Sequence, residues 1–255
     1  MNGMFDLAGR TALVTGSSRG IGLTLAGGLA VAGARVVLHG RDEVALDAAK
    51  VLVERETGET VVTAIFDVTD SDAVDAGISR IEQDIGPLGI LVNNAGIQRR
   101  GPLAEFSLSD WNALVAANLT SAFLVSQRVA RGMIERRAGK IINIGSVQSQ
   151  LGRPGIAAYA ATKGGIAMLT KGMCADLGPS GIQVNALAPG YFATELTRTL
   201  VEDETFSQWV CTRTPAGRWG DTRDLIGTVV YLASSASDFV NGQVIYVDGG
   251  MTAVV

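Results

Sequence analysis

The sequence predicts a single α/β domain built on a doubly wound parallel sheet of about seven strands, with helices on both faces. Short runs rich in β-branched residues alternate with longer helical patterns along all 255 residues. Most of the short runs are apolar throughout, which is typical of parallel strands covered by helices on both faces. The alternation of strand and helix then implies right-handed crossovers within one open sheet.

Seven runs account for the predicted strands. In chain order they are TALV at 11–14, ARVVL at 34–38, TVVTAIF at 60–66, GILV at 89–92, KIINIG at 140–145, IQVNALA at 182–188 and QVIYV at 243–247. The first is followed by a helical pattern at 20–33 and the second by one at 42–56, with Asp42 as the expected N-cap. No repeat or linker interrupts the alternation, so residues 1–255 are expected to form one domain.

The stretch between Pro189 and Pro215 is the one long segment without a clear strand. It follows the carboxyl end of a predicted strand, where open α/β sheets bind their ligands. We therefore expect a mobile lid over a substrate at about 191–215.

Composition excludes several classes of protein. The formal net charge is −4 and the basic residues form no cluster, which argues against nucleic-acid binding. The start, MNGMFDLAGR, lacks a signal-peptide pattern, and no uninterrupted apolar run reaches roughly eighteen residues, so we expect a soluble protein without membrane contact. Cys174 and Cys211 have neither disulfide nor metal-ligand spacing, which favours the cytoplasm. A single histidine, His39, excludes a histidine-rich metal site and disfavours a Ser-His-Asp hydrolase, and no metal is expected.

The stretch TGSSRGIG, residues 15–22, follows the first predicted strand. Gly16 permits a tight turn, Gly20 lets the backbone approach a pyrophosphate, and Gly22 allows close helix packing. The helix that follows supplies unpaired amide groups for an anion. The spacing TGxxxGxG differs from the common GxGxxG fingerprint, and alone it is also compatible with a plain strand-to-helix connection.

Further motifs follow in order: NNAG at 93–96, Ser146, YAATK at 159–163, and APG at 188–190 followed by Thr194. Together with TGSSRGIG they resemble the motifs of the short-chain dehydrogenase/reductase family over essentially the whole chain. The resemblance implies a Rossmann-type fold, an oxidoreductase, a cofactor half at about 1–150, and catalytic and substrate elements at about 140–255. By resemblance the nicotinamide cofactor contacts Gly16, Ser18, Arg19, Ile21, Arg41, Asp67, Val68, Asn94, Tyr159, Lys163, Pro189, Gly190, Phe192 and Thr194.

The choice of cofactor is expected at the end of the second strand, in VVLHGRD. In the family pattern an acidic residue there accepts from the adenosine ribose, but Gly40 takes that position and Arg41 follows. A guanidinium offers two parallel donors to a 2′-phosphate, and Arg19 adds a second positive charge, so we expect NADP(H). In the alternative, both arginines are solvated and Asp42 turns back to the ribose, giving NAD(H).

The catalytic residues are expected to include Tyr159 and Lys163, four apart on one predicted helix face. A free tyrosine has a pKa of about 10, which a nearby ammonium in a partly desolvated site, helped by the positive charge of an oxidised nicotinamide, would lower. The resemblance implies that Tyr159 is the general acid or base, that Ser146 hydrogen-bonds the reacting oxygen, and that Lys163 also binds the nicotinamide ribose. It assigns Asn118 to a water beside the lysine, although an asparagine in a helix also simply satisfies a backbone group. Asn93 is interpreted as structural.

Within the family, the variable segments resemble those of members that interconvert a secondary alcohol and a ketone on a sugar acid. These segments lie at 93–103, 146–149, 153–164, 188–195, 213–220 and 239–250. Arg100, or failing that Arg99, is expected to bind the carboxylate, with Arg153 as the other anion contact. Gln148 and Gln150 suit hydroxyl groups. Paired arginines in a loop are equally compatible with a solvated surface or a subunit contact.

Two other functions stay open at this point. A 3-oxoacyl carrier-protein reductase shares the catalytic set but needs a basic docking surface, which a net charge of −4 does not indicate. A non-catalytic nucleotide-sensing scaffold on this fold is disfavoured by Ser146, Tyr159 and Lys163. The resemblance also implies a homotetramer packed through the helices around Asn118 and Tyr159. The sequence assigns no role to the final MTAVV and no physiological direction.

Overall fold

The computed structural model describes residues 3–255, whose strands form one parallel sheet in the order β3-β2-β1-β4-β5-β6-β7. The strands are β1 (Thr11–Val14), β2 (Arg35–Gly40), β3 (Val62–Ile65), β4 (Leu88–Asn93), β5 (Gly139–Ile144), β6 (Ile182–Pro189) and β7 (Val244–Val247). The predicted single domain with a doubly wound parallel sheet is confirmed, and each predicted run forms a strand with small differences at its ends. The strand order reverses between β1 and β4, which places a ligand crevice at their carboxyl ends.

Nine helices cover the sheet in the described part of the chain. They are α1 (Gly20–Val31), α2 (Glu43–Thr57), α3 (Ser71–Asp84), α4 (Leu108–Val115), α5 (Ser121–Arg136), α6 (Ala157–Leu177), α7 (Arg198–Val201), α8 (Glu204–Arg213) and α9 (Ile226–Ala233). The two helices predicted at 20–33 and 42–56 are confirmed as α1 and α2. Asp42 is the N-cap of α2, because its Oδ1 atom accepts from the amide of Ala45 at 3.1 Å.

Two hydrophobic clusters hold the helices to opposite faces of the sheet. On one face Val14 and Leu38 pack with Leu25 of α1, and on the other Leu13 packs with Ile78 of α3. Alternate residues of β1 therefore enter different cores, which explains why the strand is apolar throughout. Burial of each such side chain contributes about 1.5–3 kcal/mol, so the crossovers are fixed by packing.

The helical run at 108–136 is the only one in residues 3–255 that is long and apolar enough to cross a membrane. It joins α4 and α5 through a π-helical turn, Ala116–Thr120. Val125, Val129 and Met133 on this run belong to the core beneath the sheet. The apolar character of the run therefore serves helix-to-sheet packing.

The segment predicted as a lid contains a 3₁₀ turn at Glu195–Thr197, α7 and α8. Helix α8 begins at an N-cap, Asp203, whose side chain accepts from the amide of Phe206 at 3.0 Å. The segment carries no strand, as expected. Its mobility stays a prediction.

Candidate active site

The loop from Thr15 to Arg19 joins β1 to α1 through glycines with left-handed backbone. Gly16 has φ 62° and Gly20 has φ 59°, a region that other residues rarely adopt. A Cβ atom at Gly16 would lie 2.8 Å from the Cα atom of Ala95, whereas one at Gly20 would meet nothing within 4 Å. Gly16 is therefore required by packing, and the loop is open on the side of Gly20.

The first amide groups of α1 are free of side-chain caps from residues 3–255, and its first turn holds no acidic residue. In contrast, Asp42 and Asp70 cap α2 and α3 with carboxylates. The exposed positive end of α1 therefore suits an anion. Arg19 occupies its N-cap position, Ser18 precedes it, and Ile21 is the second residue of the helix. The open loop and the uncapped helix fit the pyrophosphate of a dinucleotide.

Asn94 fastens the loop to the chain that follows β4. Its Nδ2 atom donates to the carbonyl oxygens of Thr15 and Gly16, each at 2.9 Å. The Thr15 hydroxyl in turn accepts from the amides of Asn94 and Ala95, both at 3.0 Å. A Cβ atom at Gly22 would collide with Asn94 and the Gly16 carbonyl, which explains the glycine there. Asn94 thus shapes the loop beside the position expected for the ribose.

Arg41, Asp67 and Val68 lie at the end of the crevice where the adenosine is expected. The Arg41 side chain is 72% exposed, and its Nη1 atom lies 3.3 Å from Oδ2 of Asp67. Hydrogen bonds from Thr69, and then the Arg41 charge, hold the pKa of Asp67 below its usual value. Val68 is buried. An exposed ion pair is worth little, so the Arg41 guanidinium is free to turn to a ligand phosphate.

Ser146, Tyr159 and Lys163 come together at the carboxyl end of β5. Ser146 begins the 3₁₀ turn Val147–Ser149, while Tyr159 and Lys163 lie in the first turns of α6. The Nζ atom of Lys163 lies 5.7 Å from the centre of the Tyr159 ring and donates to the carbonyl oxygen of Ile144 at 2.7 Å. The structure therefore brings the three predicted catalytic side chains together, with Lys163 anchored to β5.

Burial dominates the electrostatics of this group. It raises the pKa of Tyr159 to about 12, although the Ser146 hydrogen bond and the charge of Arg100 act in the opposite direction. Desolvation likewise lowers the pKa of Lys163 to about 8. The expected lowering of the tyrosine pKa by Lys163 is not seen, because the phenol and the ammonium are both desolvated.

Asn118 lies in the π-helical turn between α4 and α5 and is buried. Its Oδ1 atom accepts from the amide of Ile97 at 2.7 Å, and its Nδ2 atom donates to the Ile97 carbonyl at 3.0 Å and to the Thr162 hydroxyl at 3.3 Å. The side chain therefore satisfies backbone groups and connects the chain after β4 to α6. Its partner Thr162 directly precedes Lys163 in the chain.

An open cleft of about 720 Å³ adjoins the catalytic group. It lies between two segments, Arg100 to Leu103 and Arg153 to Ala157. The Gly101 amide donates a hydrogen bond to the Gly155 carbonyl oxygen at 3.0 Å and so joins the two segments. No carboxylate among residues 3–255 pairs with Arg100 or Arg153, whereas Arg99 is paired with Asp110 at 3.4 Å. Burial and the charge of Arg153 lower the pKa of Arg100. The cleft therefore holds two guanidinium groups without a described carboxylate partner.

Two buried polar atoms at this end also lack a hydrogen-bond partner among the described residues. They are the Nε atom of Arg153 and the Oε1 atom of Gln148. Buried polar groups without a partner indicate a place where a ligand or water completes the bonding. Residues 3–255 contain no group of three or more His, Cys, Asp or Glu side chains placed to hold a metal ion.

The predicted nicotinamide-side residues follow β6. Pro189 ends the strand, and a Cβ atom at Gly190 would lie 2.8 Å from the Cα atom of Asp248. Phe192 is buried and packs in the core, which leaves only its backbone for a cofactor contact. The amide of Thr194 donates to the Thr197 hydroxyl at 2.9 Å.

Comparisons with known proteins identify the family. The sequence model of the family described as enoyl-(acyl carrier protein) reductase matches residues 16–252. The chain is 60% identical over 249 residues to a gluconate 5-dehydrogenase of Gluconobacter oxydans, covering 98% of this chain and 97% of that protein. It is 53% identical over 257 residues to the 5-keto-D-gluconate 5-reductase of Escherichia coli, covering 100% of both.

A solved structure supports the same family assignment. A crystal structure of a gluconate 5-dehydrogenase from Burkholderia cenocepacia, in complex with NADP and tartrate, is 57% identical with a TM-score of 0.96, covering 100% of this chain and 99% of that one. The chain belongs to the short-chain dehydrogenase/reductase family. The family resemblance drawn from the sequence motifs is thereby confirmed.

For this short-chain dehydrogenase/reductase, sequence reasoning missed an aromatic cluster that contacts the cleft residue Arg153. The Tyr191 ring lies 5.7 Å from Phe206 and 5.8 Å from each of Trp209 and Trp219, between ring centres. Arg153 lies over the Phe206 ring with its Cζ atom 5.1 Å from the centre. Burial raises the pKa of Tyr191, while Arg153, Arg100 and Gln148 act against it from close range. The clustering of aromatic residues in the 191–219 stretch was the available clue.

Proposed function

We propose that this protein is an NADP(H)-dependent oxidoreductase that interconverts D-gluconate and 5-keto-D-gluconate. The names of the two curated relatives and of the solved structure support that substrate. One observation in the structure carries the substrate class: Arg100 and Arg153 face one cleft beside Tyr159, and no described carboxylate pairs with them. Two guanidiniums match the carboxylate of a sugar acid through forked hydrogen bonds.

The cofactor choice rests on Arg41 and the loop before α1. Asp42, the residue required by the NAD(H) alternative, caps α2 through the Ala45 amide. Its carboxylate is therefore already engaged, while Arg41 is exposed next to the crevice. NADP in the crystal structure of the Burkholderia relative supports the same choice. In this proposal residues up to about 150 mainly hold the cofactor, and residues from about 140 to 255 mainly carry the catalytic elements.

In the reducing direction Tyr159 donates its phenolic proton to the carbonyl oxygen of the substrate. When bound, the nicotinamide cofactor supplies the hydride that reduces the carbonyl carbon. A pKa of about 12 keeps Tyr159 protonated and thus ready to act as an acid at neutral pH. Ser146 donates a second hydrogen bond to the same oxygen, on which negative charge develops. The product is a secondary alcohol.

In the oxidising direction Tyr159 accepts the proton of the alcohol, so its phenolate must be stabilised. The charge of Arg100 acts in that sense in the chain itself. Lys163 contributes an ammonium 5.7 Å from the ring centre, held in place by the Ile144 carbonyl. Asn118 positions α6 through Thr162 and completes the proposed catalytic set. In this proposal Gln148 and Tyr191 contact substrate hydroxyl groups.

We further propose a homotetramer that works in the cytoplasm. Trp111 on α4, Phe123 on α5 and Met168 on α6 are large apolar side chains exposed on neighbouring helices, as at subunit interfaces. Cys174 and Cys211 are free, which suits a reducing compartment. Light scattering after gel filtration tests the assembly, and a monomer at micromolar concentration would contradict it.

The test of the proposed function is steady-state reduction of 5-keto-D-gluconate with NADPH and with NADH, with an acetoacetyl thioester as the competing substrate. We expect the highest kcat/KM for the keto acid with NADPH. Activity on the thioester alone would contradict the sugar-acid assignment and leave the catalytic set in place. A preference for NADH would contradict the role of Arg41.

A further inference from the structure

His39 is the single histidine of the chain and lies near the end of β2, outside the catalytic group. It is 2% exposed. Its Nδ1 atom accepts from the amide of Gly16 at 3.2 Å, and its Nε2 atom lies 3.0 Å from the carbonyl oxygen of Phe66. The imidazole also packs on the Phe66 ring, with 4.1 Å between the ring centres. The side chain thus connects the loop before α1 to the chain after β3.

These two contacts admit one form of the imidazole. A carbonyl oxygen only accepts hydrogen bonds, so Nε2 must carry a proton. A backbone N–H only donates, so Nδ1 must be unprotonated. A second proton on the ring, at Nδ1, would place two donors against each other and break the hydrogen bond from the Gly16 amide. Burial accordingly lowers the pKa of His39 to about 4, with the Phe66 carbonyl and Asp67 raising it and Arg41 lowering it. At neutral pH the imidazole therefore stays neutral.

The backbone around His39 holds the same loop. The Ser17 amide donates to the His39 carbonyl at 2.9 Å, and the Ser17 hydroxyl accepts from the His39 amide at 2.9 Å. Among the described residues, the Gly16 amide donates to Nδ1 of His39. Gly16 has a positive φ, and a Cβ atom there would lie 2.8 Å from the Cα atom of Ala95, so its backbone conformation admits only glycine.

We propose that His39 is a positioning residue, whose Nδ1 atom holds the Gly16 amide and thereby keeps the loop before α1 in the conformation that binds the cofactor pyrophosphate. This inference rests on the proposed cofactor site and is independent of the substrate. His39 is buried and acts on the site through the Gly16 amide. Its second bond, to Phe66, ties the loop to Asp67 and Val68 at the adenosine end.

The two hydrogen bonds can be separated by substitution. The side-chain oxygen of asparagine falls near Nδ1 of a histidine, so His39→Asn keeps an acceptor for Gly16 and loses the bond to Phe66. The amide nitrogen of glutamine falls near Nε2, so His39→Gln keeps the donor to Phe66 and loses the bond to Gly16. Each variant loses one bond and the ring contact, which makes the pair a matched control for stability.

The experiment measures the Kd for NADPH by fluorescence titration without substrate, the melting temperature, and kcat at saturating NADPH. We expect similar melting temperatures for the two variants, a nearly unchanged Kd for His39→Asn, and a Kd raised about ten-fold for His39→Gln with kcat retained. An equal Kd for both variants, or a Kd that follows melting temperature alone, would overturn the proposal. If the unmodified protein bound no NADPH, the proposed function itself would fail first.

A second measurement uses the unmodified protein. With isotope-labelled histidine and no tag, a single imidazole contributes to the nitrogen NMR spectrum. We expect the Nε2–H tautomer, with no titration between about pH 5.5 and 8, where a free histidine titrates. An imidazole that titrates normally near its usual pKa would overturn the proposal, since it would not be held by both bonds.

Discussion

At the cofactor end of the site the amide and the carbonyl of Gly16 are bonded within the protein, whereas at the substrate end two buried polar atoms have no described partner. The Gly16 amide and carbonyl are held by His39 and Asn94. In the cleft, Nε of Arg153 and Oε1 of Gln148 are buried without partners. The difference shows that hydrogen bonds within the protein shape the loop before α1 without a ligand. In the cleft, buried polar atoms are left for a ligand to bind.

The largest expected effect lies between the two ends, at the reacting oxygen. Tyr159→Phe removes the proton donor while keeping the buried ring, so kcat should fall by at least roughly 100-fold. The Kd for NADPH should stay near its original value, because the loop before α1 is untouched. Steady-state kinetics and fluorescence titration measure the two quantities. A fully active variant would contradict the role of Tyr159.

The charges of the cleft are tested next. Arg100→Met and Arg153→Met each remove a charged hydrogen-bond donor set, so KM for 5-keto-D-gluconate should rise by about 10- to 100-fold. Arg99→Met is the matched control, since Arg99 is already paired with Asp110. An effect of Arg99→Met equal to that of Arg100→Met would contradict the choice of Arg100. The Kd for NADPH should change little in all three variants.

At the cofactor end, Arg41→Ala tests the 2′-phosphate contact. Loss of one charge-assisted bond should raise the Kd for NADPH by about ten-fold and leave that for NADH nearly unchanged. Titration of both cofactors with the same variant provides the control. Equal losses for the two cofactors would show that Arg41 acts on the shape of the site rather than on the phosphate.

The aromatic cluster next to Arg153 predicts a smaller effect. Phe206→Leu removes the ring face under Arg153, worth about 0.5–1 kcal/mol at a partly exposed site, so KM for the keto acid should rise about three-fold. Phe206→Tyr keeps the ring and should restore KM. An uncharged diketone should show no change in KM with either variant. A rise for the diketone as well would assign Phe206 to general packing.

The smallest expected effect concerns the NAD(H) alternative. Asp42→Ala removes the N-cap of α2 and should lower the free energy of unfolding by about 1 kcal/mol. Asp70→Ala, which removes the cap of α3, should lower it similarly. Denaturant unfolding measures both. Neither variant should change the ratio of NADPH to NADH affinity, and a selective loss of NADH binding in Asp42→Ala would revive the ribose contact.

Much of the cofactor end could be predicted from the sequence because its features are local. The strand, the glycine turn and the helix start follow one another within TGSSRGIG, and Asp42 caps the helix that directly follows it. The family motifs also placed Ser146 and Tyr159 in one expected set. Their spatial grouping followed once β5 and α6 were assigned. Periodicity and turn chemistry suffice for such elements.

The substrate end was harder to predict because its members are distant in sequence. No local sequence pattern predicts the contact of Arg153 with Phe206. The same holds for the packing of Tyr191 on Trp209 and Trp219. The pKa of Tyr159 also went in the direction opposite to the expectation, since its burial depends on the packing of several elements. Of the neighbouring Arg99 and Arg100, the ion pair with Asp110 engages Arg99 and leaves Arg100 without a described carboxylate partner.

The sequence by itself determined the parallel sheet, the family motifs and the candidate catalytic residues, because strand pattern and motif spacing are properties of short segments. Only the tertiary structure decided the role of His39. As a lone histidine at a strand end it had argued merely against hydrolase and metal chemistry. In the fold it bonds both Gly16 and Phe66, from segments on either side of β2. Buried hydrogen bonds between distant segments form only when the sheet brings them together, and the local sequence carries no trace of the partner.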